Sequence, residues 1–173
     1  MFRIQSIVAA LIVVASMTTA NAQTSDTQKF TVTVPSSIAI IAPDNVNLIH
    51  DESENDQSFL PQSWIVKGNS SAGVTATFAT AAAFTHTNTP SEKRDVALGL
   101  AVGSSIGGAT WTVAQGSDQT DYINNDEVAT VQVSSDGFGT ANMDLSVTFI
   151  TDGFGTFLAG DYETIVTGTI TSN

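Results

Sequence analysis

Cysteine is absent from the 173-residue chain, and basic residues are scarce, with 5 lysines and arginines against 17 acidic residues. Without cysteine, neither disulfides nor thiolate metal sites can form, and the acyl acceptor of a bacterial lipoprotein is missing. The formal net charge of −12 repels phosphate backbones and anionic headgroups, so we expect no nucleic-acid partner and no electrostatic membrane binding. The composition therefore favours a solvated protein that is stabilised by its hydrophobic core alone.

Long apolar runs are also missing, apart from one near the amino terminus. Arg3 precedes the apolar run 7–15, and Ala20-Asn21-Ala22 supplies the small-x-small pattern that signal peptidase recognises. This pattern predicts that residues 1–22 are a cleaved bacterial export signal and that residues 23–173 form a single domain. Since the run is shorter than the ~20 residues that span a bilayer, we expect no transmembrane segment in the mature chain. The predicted location is extracellular or at the cell surface, with the periplasm as the alternative.

After the signal, polar and apolar residues alternate with a period of two, in short runs separated by turn residues. The clearest run places Met143, Leu145, Val147 and Phe149 on one face, which predicts an antiparallel strand with one buried side. We count about nine such strands and no helical period after the signal. The pattern predicts an all-β fold, a single immunoglobulin-like antiparallel β-sandwich.

Two connections are interpreted from their turn residues. The alternating run that starts at Trp64 is followed by Gly68-Asn69 and then by the alternating run 74–78, which together predict a hairpin. Residues 103–108 are rich in glycine and serine, and we expect a flexible turn there.

Two acidic segments are candidate calcium sites, because carboxylate oxygens are the ligands that calcium prefers. The first lies in a polar stretch, 44–63, that we expect to be a long exposed loop with a brief strand at 46–48. Neither segment matches the EF-hand pattern, and a solvated acidic loop is the alternative for both. The candidate ligands are Asp51, Glu52, Glu54, Asp56, Asp118, Asp121, Asp126 and Glu127. We predict no other cofactor and no other metal site.

One serine motif has the pattern of a hydrolase catalytic site. Gly103-Ser104-Ser105-Ile106-Gly107 matches the G-x-S-x-G pattern of hydrolases, which place the serine on a turn between a strand and a helix. No helical period follows this motif, and both histidines, His50 and His86, precede Ser105, whereas the hydrolase order places the histidine after it. We therefore predict no catalytic residues and a non-enzymatic protein.

The pentapeptide Asp-Gly-Phe-Gly-Thr occurs twice, at 136–140 and at 152–156. Each copy is expected to precede a strand, with Asp-Gly in a turn at positive φ and the phenylalanine capping the edge of the core. The repeat is too short for a solenoid unit. It predicts two similar turns.

Phe30, Val32 and Val34 alternate with threonines ahead of Pro35. Such a segment either forms the first strand of its own sheet or adds to the exposed sheet edge of a neighbour. Only six residues, 23–28, precede it in the mature chain. We favour the intramolecular strand for this reason and keep strand donation by Phe30, Val32 and Val34 as the alternative.

The closing residues 159–171 combine an Ala-Gly-x-Tyr turn with a strand of alternating threonines and aliphatic residues. This pattern resembles the last strand of bacterial surface β-sandwich proteins, namely WxL-domain proteins and fimbrial or spore-coat-U-like subunits. Residues 30–41 and 64–78 fit the same general pattern. The WxL motif itself is absent, since Trp64-Ile65-Val66 and Trp111-Thr112-Val113 carry valine in place of leucine, so the resemblance does not extend to peptidoglycan binding.

The resemblance implies an exported, non-enzymatic structural or adhesive surface protein. It would be a subunit of an extracellular assembly whose partners are other copies of itself or other envelope proteins. The alternative is a secreted β-sandwich module that binds calcium or a glycan through the acidic loops.

Overall fold

The computed structural model describes residues 24–173, and the predicted export signal, residues 1–22, lies outside the described residues. Contacts divide the chain into two units, residues 1–33 and residues 34–173. In the first unit, residues 24–33 carry no secondary structure. Every strand of the described residues belongs to the second unit. The described part of the chain contains no helix with the length and apolar character needed to cross a membrane.

The second unit is built from strands, as the alternating segments predict. Their bounds are β1 (Ile38–Ile41), β2 (Gln57–Ser58), β3 (Gln62–Gly68), β4 (Val74–Thr80), β5 (Phe84–His86), β6 (Lys93–Arg94), β7 (Val96–Gly107), β8 (Trp111–Gln115), β9 (Ser117–Gln119), β10 (Thr130–Ser135), β11 (Gly139–Phe149), β12 (Tyr162–Glu163) and β13 (Val166–Ser172). The one helical element among residues 24–173 is a 3₁₀ turn at Tyr122–Asn124. The all-β prediction is confirmed, and the immunoglobulin-like arrangement stays a prediction.

The strands form two large antiparallel sheets and one small one. The first sheet has the order β1-β3-β11-β7-β9, and β2 pairs with β11 beyond the start of β3. The second sheet has the order β13-β4-β10-β8, and the third has the order β12-β5-β6. All pairings are antiparallel, and neighbours in a sheet are mostly distant in sequence. This arrangement is consistent with a β-sandwich.

The hydrophobic core lies between the first and second sheets. Trp64 of β3 and Phe78 of β4 meet edge to face across it, with ring centroids 5.3 Å apart. Fully buried aliphatic and aromatic side chains of this kind each contribute about 1.5–3 kcal/mol of burial free energy. The centre of the core consists of side chains from the alternating runs, each at most 2% exposed. They are Val66, Val74, Ala76, Phe78, Leu98, Ala129, Val131, Val133, Met143 and Leu145. Their burial confirms the predicted inward faces.

We call the end of the first sheet where Gly68, Gly107 and Gly139 pair the apical end. The opposite end, where Val96 pairs with Phe149, is the basal end. Strand β11 runs from the apical to the basal end over its 11 residues. Features at Gly139 and just after Phe149 are therefore separated by the whole length of the sheet.

The predicted hairpin between residues 64 and 78 is wrong. Strand β3 pairs with β1 and β11 in the first sheet, whereas β4 pairs with β10 and β13 in the second. The turn after Gly68 therefore carries the chain across the core from one sheet to the other. Both strands turn a row of alternate side chains into the same core, so the local pattern is equally compatible with a hairpin and with a crossing.

The predicted flexible turn at residues 103–108 is also wrong, because β7 continues through it to Gly107. Ala141 of β11 pairs with Ser105 and Met143 pairs with Val102, so Gly103 and Ser104 together face Asn142 as a β-bulge. The small side chains of this run suit a bulge in a long strand as well as they suit a turn. The long loop predicted ahead of β3 is confirmed in its main part, but no strand forms at 46–48.

The two Asp-Gly-Phe-Gly-Thr copies differ in backbone conformation. In the first copy neither Gly137 nor Gly139 has positive φ, and β11 begins within it. In the second copy Asp152 has a φ of 39° and both glycines, Gly153 and Gly155, have a φ of 87°. The next strand after this copy, β12, begins only at residue 162. The prediction of two similar turns before strands is therefore wrong, and neither phenylalanine belongs to the buried core.

The two flanks of the paired sheets are built differently. On one flank, β8 belongs to the second sheet and β9 to the first, with only Gly116 between them, so one continuous run passes from sheet to sheet. On the other flank, the first sheet ends at β1 and the second at β13, which lie side by side. We call this second side the open flank.

Candidate functional site

The segment around Phe30, Val32 and Val34 is not a strand. These side chains are 83%, 87% and 76% exposed, and the first strand of the described chain begins only at Ile38. The favoured expectation of an intramolecular strand is therefore not met. Pro35 lies between the segment and β1 and supplies no N–H group to continue a ladder. This segment has the alternating sequence pattern of a strand, but it pairs with no strand among residues 24–173.

Strand β1 offers one unpaired edge on the open flank. The Asn69 N–H donates to the Ser37 carbonyl over 3.2 Å, which places the odd-numbered residues of this strand in hydrogen-bonded pairs with β3. Because hydrogen-bonded pairs alternate in an antiparallel ladder, the backbone groups of Ile38 and Ile40 point away from β3. No strand pairs with β1 on that side in residues 24–173.

Strand β13 offers a second and longer edge on the same flank. The Ala81 N–H donates to the Ile165 carbonyl over 2.8 Å, and the Asn173 N–H donates to the Gly73 carbonyl over 3.1 Å. These bonds place the odd-numbered residues in pairs with β4, so the backbone groups of Val166, Gly168 and Ile170 point outward. An exposed edge of this kind is a template for pairing with another strand.

The carboxylates of the first acidic segment are used within the protein. Asp56 Oδ1 accepts the Thr151 N–H over 2.9 Å, and Glu54 Oε2 accepts the Phe154 N–H over 3.0 Å. Asp51 Oδ1 accepts the Gln57 side-chain amide over 2.8 Å. The Glu54 bond fastens the acidic loop to the second Asp-Gly-Phe-Gly-Thr copy, the Asp56 bond fastens it to the residue just before that copy, and the Asp51 bond closes the loop on itself. They direct three carboxylates toward donors of the same chain.

The pKa of Asp51 is perturbed by its neighbours. Hydrogen bonding by Ser53, through its side chain and its backbone N–H, lowers the pKa of Asp51 below the ordinary value of 3.8. Burial opposes this effect and is weaker than the Ser53 hydrogen bonds, while the Gln57 amide and His50 make still smaller contributions that lower the pKa. Asp51 is therefore held in its charged form by local donors.

The second acidic segment surrounds the 3₁₀ turn. Asp118 accepts the N–H groups of Gln119 and Thr130, and Asp121 caps the turn by accepting the Asn124 N–H over 3.2 Å. Glu127 forms an ion pair with Lys93. Asp126 contributes a backbone bridge to Asp121. These residues stabilise a connection between β9 and β10.

Nothing in the described residues assembles a metal centre from these groups. Residues 24–173 contain no set of three or more histidine, cysteine, aspartate or glutamate side chains placed to hold one metal ion. The calcium hypothesis stays a prediction. Six of the eight candidate ligands use their carboxylates as hydrogen-bond acceptors within the protein: Asp51, Glu54, Asp56, Asp118, Asp121 and Glu127.

Both histidines belong to the group of packed residues at the basal end. The His50 ring stacks on Phe154 at 5.2 Å, and its Nε2 lies 3.1 Å from the Thr151 hydroxyl. His86 is buried, and its Nδ1 accepts the N–H groups of Asn88 and Thr89 over 3.2 and 3.0 Å. Neither histidine was given a structural role from the sequence, because their aromatic neighbours come from distant segments.

Arg94 was likewise missed by sequence reasoning. Its guanidinium carbon lies 4.5 Å from the centroid of the Phe157 ring, and its Nη2 donates to the Thr156 hydroxyl over 2.7 Å. The side chain is 8% exposed, and its Nε has no hydrogen-bond partner. This cation–π contact anchors the loop after β11 to the third sheet.

Ser105 lies in a different setting from a hydrolase nucleophile. It occupies β7 and pairs with Ala141 of β11. A strand-to-helix turn, which the G-x-S-x-G motif requires, does not occur at this position.

Comparison with family models, with curated proteins and with solved structures finds no match for this chain. The similarity to WxL-domain proteins and to fimbrial or spore-coat-U-like subunits stays a prediction from the sequence. Two features of the described residues therefore present groups that could bind a partner. One is the exposed alternating segment with its apolar side chains, and the other is the open flank with its outward backbone groups.

Proposed function

We propose that the protein is an exported, non-enzymatic structural subunit that assembles with other copies of itself at the cell surface. The observation that carries this proposal is the exposure of Phe30, Val32 and Val34, three alternating apolar side chains with no strand partner in the part of the chain that the structure describes. A segment of this pattern gains backbone hydrogen bonds and buries its apolar face when it joins a sheet edge. We infer that it pairs with the open flank of a second copy.

The open flank supplies the complementary half of this contact. The outward backbone groups of β13 at Val166, Gly168 and Ile170 can pair with a strand of about the length of residues 29–34. The adjacent edge β1 gives a second acceptor on the same side. On the other flank the edge strands β8 and β9 are joined to each other through Gly116, whereas the edge strands β1 and β13 of the open flank are not joined to each other. We place the donated strand on the open flank for this reason.

The test uses a lysine scan of the segment in the purified full-length secreted protein. We expect Val32→Lys to abolish higher assemblies, because a charged side chain would have to be buried against the acceptor core. Thr33→Lys is the matched control, since alternate residues of an added strand face solvent. Size-exclusion chromatography with light scattering measures the assembly state, and electron microscopy shows its form.

Hydrogen exchange gives an independent measurement on the same samples. Backbone amides of residues 30–34 should be protected in the assembled fraction and unprotected in the Val32→Lys protein. A wild-type protein that stays monomeric at all concentrations, or a Val32→Lys protein that assembles as the wild type does, would overturn the proposal. Fractionation of the host culture tests export, and recovery of the chain in the cytoplasm with residues 1–22 attached contradicts it.

A further inference from the structure

A shallow groove crosses the apical end of the first sheet. It has a volume of about 380 Å³, and its walls include Lys67, Ile106, Phe138 and Thr140. Ile106 is 74% exposed and Phe138 is 59% exposed. Two large apolar side chains next to each other on the surface of a strongly acidic protein mark a contact surface.

Lys67 places a positive charge in this groove, although the protein as a whole is strongly acidic. The part of the chain in residues 24–173 carries four cations, of which Lys29 precedes the folded unit. Lys93 is paired with Glu127, and Arg94 is buried against Phe157. Lys67 is therefore the one exposed cation of residues 34–173 that has no ion pair. The groove combines apolar walls with the only uncompensated positive charge on that surface.

The basal end carries a projection of the opposite character, which we call the basal tip and define as residues 49–54. Ile49 is 91% exposed. Glu52 is exposed, has a φ of 60°, and its carboxylate makes no hydrogen bond within the described residues. The tip thus presents an apolar side chain and an unpaired negative charge close together in sequence.

Hydrogen bonds and ring stacking with neighbouring residues fix the conformation of the basal tip. His50 Nδ1 accepts the Glu52 N–H over 3.0 Å, while the His50 ring stacks on Phe154. Glu54 accepts the Phe154 N–H. A residue other than glycine in the left-handed region is strained and persists where its surroundings fix it. The tip is therefore preorganised, which lowers the entropy cost of docking.

We propose that the basal tip of one copy docks into the apical groove of a second copy, with Ile49 against Ile106 and Phe138 and with Glu52 opposite Lys67. The proposal rests on the proposed function only in requiring that copies associate. Both halves of the contact combine apolar surface with one charge, and the two charges have opposite signs. Complementary charge of this kind selects the partner and fixes its orientation.

The contact is directional because its two halves lie at opposite ends of the molecule. Strand β11 connects the two ends over 11 residues, a span of roughly 35 Å at the usual rise of a strand. A contact between two different surfaces does not close on itself in a pair, so it generates rings or filaments. Copies would therefore stack head to tail along the strand direction.

The amino-terminal segment fits this groove less well than the basal tip does. Lys29 begins that segment, and its charge would face the like charge of Lys67. Like charges brought together at an interface oppose binding. The donated strand and the head-to-tail contact therefore use separate surfaces of the acceptor.

A reciprocal charge exchange tests the contact in the full-length secreted protein. Lys67→Glu and Glu52→Lys should each weaken head-to-tail association about ten-fold, because each places like charges at the contact. An equimolar mixture of the two variants should regain wild-type association, since each tip then meets a groove of opposite charge. Sedimentation velocity measures the association, and the wild-type value should fall as salt is raised.

Glu163→Lys is the matched control, because Glu163 is exposed in β12, lies outside residues 49–54, and its substitution makes the same change in net charge as Glu52→Lys. It should associate as the wild type does. Ile49→Ser should weaken association without lowering the melting temperature, since Ile49 is largely solvated in the single copy.

The outcomes separate this contact from strand donation. If Val32→Lys prevents assembly while both charge variants associate like the wild type, the head-to-tail contact is wrong and the proposed function stands. If the charge variants weaken association and their mixture does not regain it, the pairing of Glu52 with Lys67 is wrong. A wild-type protein that never associates overturns both.

Discussion

Gly168 of β13 lies directly against the indole of Trp64, where a Cβ atom would stand only 2.8 Å from Trp64 Cζ3. The same Cβ atom would stand 2.7 Å from Ile40 Cδ1 of β1. Gly168 therefore marks the line along which the edges of the first and second sheets approach each other on the open flank. The absence of a side chain there allows the tryptophan to fill the core.

Replacing Gly168 with alanine should destabilise the protein by about 1–3 kcal/mol, because the added methyl group overpacks a well-filled site. Urea denaturation measures the loss. Gly99→Ala is the control, since its Cβ atom would meet Ser146 Cβ at an ordinary 3.5 Å. Equal stability of the two variants would contradict the tight approach of β13 to Trp64.

The two pentapeptide copies should respond differently to the same substitution. Gly153→Ala should destabilise the protein by about 1 kcal/mol or more, because alanine is strained at positive φ and Gly153 has a φ of 87°. Gly137→Ala should be nearly neutral, since no heavy atom lies within 4 Å of the added Cβ atom. Thermal unfolding of both variants checks the difference, and equal losses would show that the copies share one conformation.

His86→Leu should lower stability by about 1–2 kcal/mol, because the turn that follows the buried His86 then loses the acceptor for two backbone N–H groups. Those groups belong to Asn88 and Thr89. His50→Leu should cost less, since His50 Nδ1 accepts one N–H group in an exposed loop. Chemical denaturation ranks the two variants, and the reverse order would contradict the assigned hydrogen bonds.

Ser53→Ala should raise the pKa of Asp51 toward its ordinary value of 3.8, because Ser53 supplies the largest stabilisation of the charged carboxylate. Since the folded-state pKa is depressed, the contribution of Asp51 to stability is present above the unfolded-state pKa and is lost as pH falls through the folded-state value. Carbon-detected NMR titration of the Asp51 carboxyl group measures its pKa in the wild type and in the variant. An unchanged pKa in the variant would exclude the contact of the Ser53 side chain, since the Ser53 backbone N–H is retained.

Much of the fold follows from the period of the sequence. Met143, Leu145 and Phe149 are buried as their alternation predicts, and so are Val131 and Val133. Inward faces can be read locally because each strand must turn its apolar side to one core. The all-β class and the long loop before β3 follow from the same patterns.

The alternation of polar and apolar residues does not determine which strands pair with each other. The connection after Gly68 crosses between sheets, although its residues suit a hairpin equally well, because pairing is decided by partners distant in the sequence. Identical pentapeptides adopt different backbones for the same reason, since only the second is held by contacts to Glu54 and Arg94. The apical groove could not be predicted from the sequence, because Lys67 and Phe138 come together only in the folded chain.

Proteases that cut after lysine or arginine meet few targets on the folded unit. Arg94 is covered by Phe157, Lys93 is tied to Glu127, and Lys67 lies within the paired strand β3. Cleavage favours unpaired, exposed backbone, which leaves Lys29 as the accessible site. A cut there falls just before Phe30 and leaves the alternating apolar side chains Phe30, Val32 and Val34 attached to the folded unit.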